Sequence, residues 1–265
     1  MTEKTSENKE VATLARVGHV ALITINRPDA MNSLNREVCT RLSDFIDEVE
    51  RDDAVRVVIL TGEGEKAFCA GIDLRERKGM SDDEVNALRQ FIIFPLFQRL
   101  ENMQKPLIGA INGLALGGGA EIALICDIRI ASENARFGQT EVKWAIIPGA
   151  GACQRLPLVV GVGIAKELLL TGKIIDAREG ERIGLFNHVT TSQNLKDRAM
   201  EVARSIAENG PLAVRQIKKA VNLGTENRLA LAFDREASEV CYPTRDRLEG
   251  VAAFNEKRKP KFTGK

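Results

Sequence analysis

The chain has 265 residues, of which 44% are hydrophobic and 28% charged, with a formal net charge of +1. That is the composition of an ordinary soluble globular protein, built as one large domain or one domain with an appendage. Balanced charge argues against a protein whose main task is binding nucleic acid, and no run of about 18 apolar residues predicts a membrane span.

Residues 1–10, "MTEKTSENKE", are polar, lack the apolar core of a signal peptide and read as a disordered arm. "ATLARVGHVALITIN" follows, two β-rich runs around Gly18 that predict a hairpin. In "NREVCTRLSDFIDEVERD" apolar residues recur at helical spacing, at Val38, Leu42, Phe45, Ile46 and Val49, with Asn35 as N-cap. "VRVVILTG" is a short buried strand. "SDDEVNALRQFIIFPLFQRLENM" is a helix capped by Ser81 and kinked at Pro95. "KPLIGAING" reads as a buried strand, "AEIALICD" as a helix and "IRIAS" as a strand. Strands alternating with helices predict βαβ units and a mostly parallel sheet. From about Gly161 onward the segments read as helices, so the chain is α/β for roughly its first two thirds and helical thereafter.

The five cysteines, Cys39, Cys69, Cys126, Cys153 and Cys241, are scattered without a CxxC. They indicate a reducing, cytoplasmic setting with no disulfide framework and no zinc site. Only two histidines are present, His19 and His188, both in turn or strand contexts. A histidine-based triad therefore has little to build on, and the chemistry falls to carboxylates.

The stretch "NGLALGGGAEIALICD", residues 112–127, is the most informative. Its three glycines admit three readings. They can let a strand turn sharply into a helix, with Glu121 favouring the positive helix start. They can cradle phosphate, although the GKS or GKT of a phosphate loop is absent and the spacing is not that of a dinucleotide fingerprint. They can free a backbone N–H at a helix start to hold a developing oxyanion, with Glu121 aimed into the same cavity. The third reading needs a second donor and a second acid/base group. "EKAFCAGIDLRER", at the end of a strand, supplies the first, and "ARFGQTEVKWAIIPGAG" supplies Glu141 and the Pro148–Gly149 turn.

The stretches "NRPDAMNSL", "KAFCAGIDL", "INGLALGGGAEIALICDIRIAS", "FGQTE" and "IIPGAGACQRLP" resemble, in order and spacing, the enoyl-CoA hydratase/isomerase (crotonase) superfamily. The resemblance covers nearly the whole chain after the first ten residues. The tail "PTRDRLEGVAAFNEKRKPKF" is similar to that of the methylglutaconyl-CoA hydratase branch, some members of which also bind AU-rich RNA. The resemblance implies a crotonase-like spiral of ββα units over residues 11–200. It implies a C-terminal helical region over 201–265 that mediates trimers or dimers of trimers.

By the same resemblance, the N–H groups of Ile72 and Gly118 form the oxyanion hole for a thioester carbonyl. Glu121 and Glu141 are the catalytic pair, holding one water between them. Gly149 lies beside that water or the thioester. Ala30, Lys66, Ala70, Asp73, Leu74 and Arg75 match positions along the coenzyme A track, although Lys66 and Arg75 read equally well as solvated surface charges. Coenzyme A enters as part of the substrate, an acyl-CoA thioester, and no separate cofactor or metal is implied.

The sequence departs from the family pattern at Ala152–Cys153, at Thr140 in "FGQTE", and at Trp144, the only tryptophan, which belongs either to the acyl pocket or to the core. These departures bear on acyl specificity and leave the glutamates intact. Cys69, beside the oxyanion loop, has no neighbouring histidine to activate it and reads as packing. Hydration of a 2-enoyl-CoA is the leading expectation. Methylglutaconyl-CoA hydration, Δ3,Δ2-enoyl-CoA isomerisation and RNA binding through the short basic stretches "RQIKK" and "EKRKPKF" are the alternatives.

Overall fold

The hairpin forms where the alternating pattern places it: β1 (Ala12–Val17) and β2 (Val20–Ile25) pair antiparallel, with Val17 opposite Val20. The structure, a computed structural model, describes residues 10–144, 146–223, 244–256 and 258–265. The expected arm therefore lies outside the described residues, except for Glu10. α1 (Arg36–Arg51) starts at Asn35, whose side chain accepts the Val38 N–H at 3.0 Å. Truncating such a cap typically costs about 1 kcal/mol. The five apolar residues that predicted this helix are all buried, and Cys39 is buried with them.

Beyond α1 the chain winds as a spiral of ββα units, and it builds two sheets where the sequence pattern suggested one. β3 (Val57–Gly62), β5 (Leu107–Ile111) and β7 (Ile128–Ser132) lie parallel to β2 in a six-stranded sheet closed by β10 (His188–Thr190). After each of these three strands the chain turns within a few residues into a three-residue strand of a second sheet. These are β4 (Ala67–Cys69), β6 (Leu114–Leu116) and β8 (Arg136–Gly138), mutually parallel, with β9 (Ile174–Asp176) antiparallel at the edge. Three-residue strands are too short to show a period, which is why they escape pattern reading. For the same reason the region after Gly161 is not wholly helical: β9 and β10 interrupt it and complete the two sheets.

The second unit carries α2 (Asp82–Leu88), opened by a Ser81–Glu84 capping box, and α3 (Phe94–Glu101). The expected kink takes the form of a π-helical turn over Arg89–Ile93, immediately before Pro95, which has no N–H to continue the ladder. α4 (Gly118–Ile125) is buried throughout, Glu121 included. α5 (Ala152–Val160), α6 (Val162–Thr171) and α7 (Ala177–Arg182) follow.

One core lies between the sheets and α1, α3, α4 and α5, with Phe68, Phe97 and Phe137 buried in it. A second lies on the other face of the large sheet. There Leu195, Ala199, Met200, Ala203 and Ala207 of α8 (Leu195–Ala207) pack on Val20, Leu22, Val57, Ile59, Ile108, Ala110 and Ile130. The expected boundary after residue 200 thus falls inside a helix whose two halves rest on one sheet face, and α8 belongs to the α/β core. α9 (Pro211–Leu223) and a helix at Arg245–Glu256 form the described part of the C-terminal region. The expected helix "ENRLALAFDREASEV" lies outside the described residues. Among those described, no helix is long and apolar enough to cross a membrane.

Candidate active site

Because β4, β6 and β8 are adjacent and parallel, the loops after them meet at one end of the small sheet. Those loops are the Gly71–Ile72 segment, the triglycine and the segment holding Glu141. Ligand contacts in open α/β sheets gather at this carboxyl end.

Each glycine of the triplet has a different task. Gly117 adopts φ 50° and ψ −123°, a conformation that disfavours any side chain, and its N–H donates to Gly138 of β8 at 3.1 Å. Gly119 packs on β4 so closely that a Cβ would stand 1.9 Å from the Cys69 carbonyl oxygen. Between them, Gly118 is the first residue of α4, so its N–H has no acceptor within the helix. It forms no hydrogen bond among the described residues.

A second free donor faces it. Leu34 bonds to both neighbours of Ile72: its N–H donates to Gly71 O at 2.8 Å, and its carbonyl accepts from Asp73 N at 2.8 Å. Alternation along an extended segment then turns the Ile72 N–H away from Leu34. It too is unbonded among the described residues. The two segments touch: a Cβ on Gly71 would lie 3.3 Å from Gly118 N, and one on Gly118 would lie 3.4 Å from Ile72 Cδ1.

Glu121, one turn into α4, is 4% exposed. Its Oε1 accepts the Ala150 N–H at 2.6 Å and the Ala152 N–H at 3.4 Å. Burial drives its pKa up to about 7 against these two hydrogen bonds, and the Glu141 charge adds to the rise. Glu141 opens a short 3-10 helix, Glu141–Trp144, and is half-buried. Burial raises its pKa as well. Its Oε1 is 3.2 Å from where a Cβ on Gly117 would be, so the carboxylate lies directly over the triglycine turn. With its amide nitrogen turned toward Glu141, buried Gln139 donates to both carboxylate oxygens at 3.1 Å. The arrangement places two carboxylates of raised pKa beside two unpaired N–H donors, a set suited to proton transfer at a carbonyl compound that becomes anionic.

Of the residues expected along the coenzyme A track, Ala30, Asp73 and Arg75 share an open hollow of about 600 Å3 with Arg27, Asn35 and Glu76. Asp73 is a clamp within it. Burial alone would raise its pKa, but hydrogen bonds from Arg75 and Arg27 hold it at about 2. Ala70 is half-buried and donates its N–H to Met31 O at 3.0 Å. Lys66 and Leu74 are exposed and do not line that hollow. Trp144 is 72% exposed, which removes the reading of it as a core residue. Gly149 lies against Phe94 and Arg89, each about 3.8–3.9 Å from the position of a Cβ there. Cys69 is fully buried, and burial pushes its thiol up to about 12, consistent with packing.

Sequence reasoning assigned no role to Gln139, although it sits two residues before Glu141 in "FGQTE". It also missed the Ala150 N–H that holds Glu121 and Arg155, which fixes Ala150 by donating to its carbonyl at 2.5 Å. A glutamine is inconspicuous in sequence until its burial is known, and backbone donors carry no residue signature.

Known proteins share this sequence pattern and fold. The family model described as enoyl-CoA hydratase/isomerase matches residues 16–265. A short-chain-enoyl-CoA hydratase of Clostridium acetobutylicum is 48% identical over 250 residues, covering 93% of this chain and 95% of the relative. The mitochondrial methylglutaconyl-CoA hydratase of Homo sapiens is 41% identical over 253 residues, covering 92% and 74% respectively. A crystal structure of an enoyl-CoA hydratase from Bacillus anthracis superposes with a TM-score of 0.93 at 44% identity, covering 96% of this chain and all of that one. The chain belongs to the enoyl-CoA hydratase/isomerase family, within the crotonase superfamily.

Proposed function

We propose that the protein is an enoyl-CoA hydratase that adds water reversibly and syn across the double bond of a 2-enoyl-CoA thioester. The supporting observation is the pairing of Glu121 and Glu141 beside the unbonded N–H groups of Ile72 and Gly118. The thioester oxygen takes both N–H bonds. Glu121 accepts a proton from a water held between the carboxylates, and the water oxygen bonds to the β carbon. The electron pair of the double bond moves toward the carbonyl, giving an enolate whose oxygen the two donors stabilise. Glu141 delivers a proton to the α carbon and the carbonyl reforms. Each oxyanion donor of this kind is worth about 2.7–4 kcal/mol of barrier. A base with a pKa of about 7 is well matched to proton transfer near neutral pH. The chemistry needs no added cofactor, because coenzyme A arrives with the substrate.

Isomerisation of a 3-enoyl-CoA needs only one acid/base carboxylate, so the retained pair favours hydration. Methylglutaconyl-CoA hydration is a second reading, favoured by the human relative. The protein works as a homotrimer or a dimer of trimers in the cytoplasm. Support for assembly comes from the large apolar side chains left exposed at Trp144, Ile146, Ile147 and Leu170. Support for a reducing compartment comes from the unpaired state of Cys39, Cys69, Cys126 and Cys153.

The deciding assay follows conjugated-thioester absorbance after crotonyl-CoA is added to purified protein. Rapid loss that collapses by at least about 100-fold in both Glu121→Gln and Glu141→Gln is expected. Full activity in either variant would refute the two-carboxylate mechanism.

A further inference from the structure

Glu121 is held by backbone groups that Arg155 holds in turn. The Ala150 and Ala152 N–H groups both donate to Oε1 of Glu121, at 2.6 and 3.4 Å. Oε1 is thereby engaged, and Oε2, which accepts no hydrogen bond among the described residues, is the oxygen left to take a proton from water. The two donors belong to the peptides on either side of the Ala150–Gly151 peptide, so the orientation of that middle peptide sets the direction of both. Arg155 pins it. Nη1 donates to Ala150 O at 2.5 Å, and Nη2 pairs with Glu101 at the C-terminal end of α3. Gly151 makes room for this: its φ is 100°, and a Cβ there would stand 2.2 Å from Arg155 Nη1.

The Arg155 side chain is 19% exposed, so it is no solvated surface charge. Its planar fork serves two acceptors at once, a task that a single ammonium performs poorly. A plain staple between α3 and α5 would need only the pair with Glu101; the bond to Ala150 O ties the same guanidinium to the base. The charges around Glu121 are few. α3, α5, β4 and β6 pack against α4. β4 and β6 carry no charged residue, and α3 contributes Glu101, bound to Arg155, and Arg99, paired with Asp47. Burial and the Glu141 charge raise the Glu121 pKa, while the Ala150 and Ala152 hydrogen bonds and the Arg155 charge lower it.

We propose that Arg155 is a positioning residue for the hydration step. It fixes the Ala150–Gly151 peptide so that Glu121 presents Oε2 to the water, and Glu101 anchors it to α3. This inference rests on the hydratase reading for the role of Glu121 as base.

The test uses the full chain and two independent readouts. In crotonyl-CoA turnover, Arg155→Met should lower kcat by about 10- to 100-fold, the loss expected when a reacting group is misplaced by a fraction of an ångström to an ångström. KM should stay within about twofold, because no thioester contact is removed. The acid limb of the pH–rate profile should move to higher pH, since Glu121 loses a nearby cation and two aligned donors. Arg155→Lys, which keeps the charge but reaches one acceptor, should fall between. In a Glu121→Gln background, Arg155→Met should cost little more, because residues that act as a unit are not additive. The second readout needs no substrate. NMR of isotope-labelled glutamate carboxyl carbons, with the Glu121 signal identified by its loss in Glu121→Gln, should show its titration midpoint raised in Arg155→Met. Should Arg155→Met not fold, Arg155→Lys carries the same comparisons with smaller shifts. Wild-type kcat in both Arg155 variants, a loss confined to KM, an undiminished further loss in Glu121→Gln, or an unmoved Glu121 titration would overturn the assignment. A moved titration in a protein that does not hydrate crotonyl-CoA removes the hydratase reading and leaves the hold of Arg155 on Glu121 standing, whereas turnover with an unmoved titration does the reverse.

Discussion

Replacing the buried carboxylate of Glu121 by an amide should make the protein more stable as it makes it inactive. Glu121 is 4% exposed, and burial with the charge of Glu141 lifts its pKa from the ordinary 4.5 to about 7. Each tenfold change in proton affinity corresponds to about 1.4 kcal/mol. The charged form in the folded protein therefore costs roughly 3 kcal/mol relative to the neutral form, an order-of-magnitude figure. The sign follows from linkage. A carboxyl with a raised folded-state pKa contributes stability that is complete below pH 4.5 and lost as pH rises through about 7. Glu121→Gln keeps a neutral acceptor for the Ala150 N–H and has no charge to desolvate. Variant and wild type should match near pH 4.5, and by pH 8.5 the variant should lead by up to about 3 kcal/mol, several degrees in Tm for a chain of this size. Urea or thermal unfolding at pH 5, 7 and 8.5 measures this. A variant no more stable than wild type at pH 8.5, or an advantage independent of pH, would refute the claim that the site holds a desolvated carboxylate.

Gly119→Ala should be strongly destabilising, by about 1–3 kcal/mol or more, because the added methyl would stand 1.9 Å from the Cys69 carbonyl oxygen; denaturant titration would show it. Gln139→Leu removes two donors from the Glu141 carboxylate, which favour its charged form. Glu141 must be protonated to deliver its proton, so the alkaline limb of the pH–rate profile should move to higher pH, and an unmoved limb would detach Gln139 from the chemistry. Cys69, with its thiol pushed up to about 12 by burial, should resist maleimide in the folded protein, while half-buried Cys153 reacts; peptide mapping distinguishes the two.

The long elements were legible because their burial is periodic. α1 shows its stripe at Val38, Leu42, Phe45 and Val49, and its cap at Asn35, all local facts. The division into two sheets was not legible, since β4, β6 and β8 are three residues each and their pairing is set by the return of the chain through α2–α4. The glutamates, the triglycine and the Ile72 segment stood out as motifs, and the parallel alignment of three short strands brings them together. What remained hidden depends on burial or on backbone donors. Gln139 becomes notable only when seen buried, the Ala150 N–H has no side-chain signature, and Arg155 looks like an ordinary charge in "ACQRLP" until its guanidinium is found on the Ala150 carbonyl. Trp144 shows the opposite error, an aromatic residue that sequence alone allowed in the core and that lies on the surface.

The central claim is that Glu121 and Glu141 act on one face of a bound 2-enoyl thioester, and stereochemistry tests it most directly. Crotonyl-CoA would be hydrated in D2O and the 3-hydroxybutyryl-CoA product examined by NMR. The account predicts a single α-deuterated diastereomer in which deuterium and hydroxyl have added to the same face. Anti addition, or an even mixture of the two diastereomers, would contradict a site in which both carboxylates share one water.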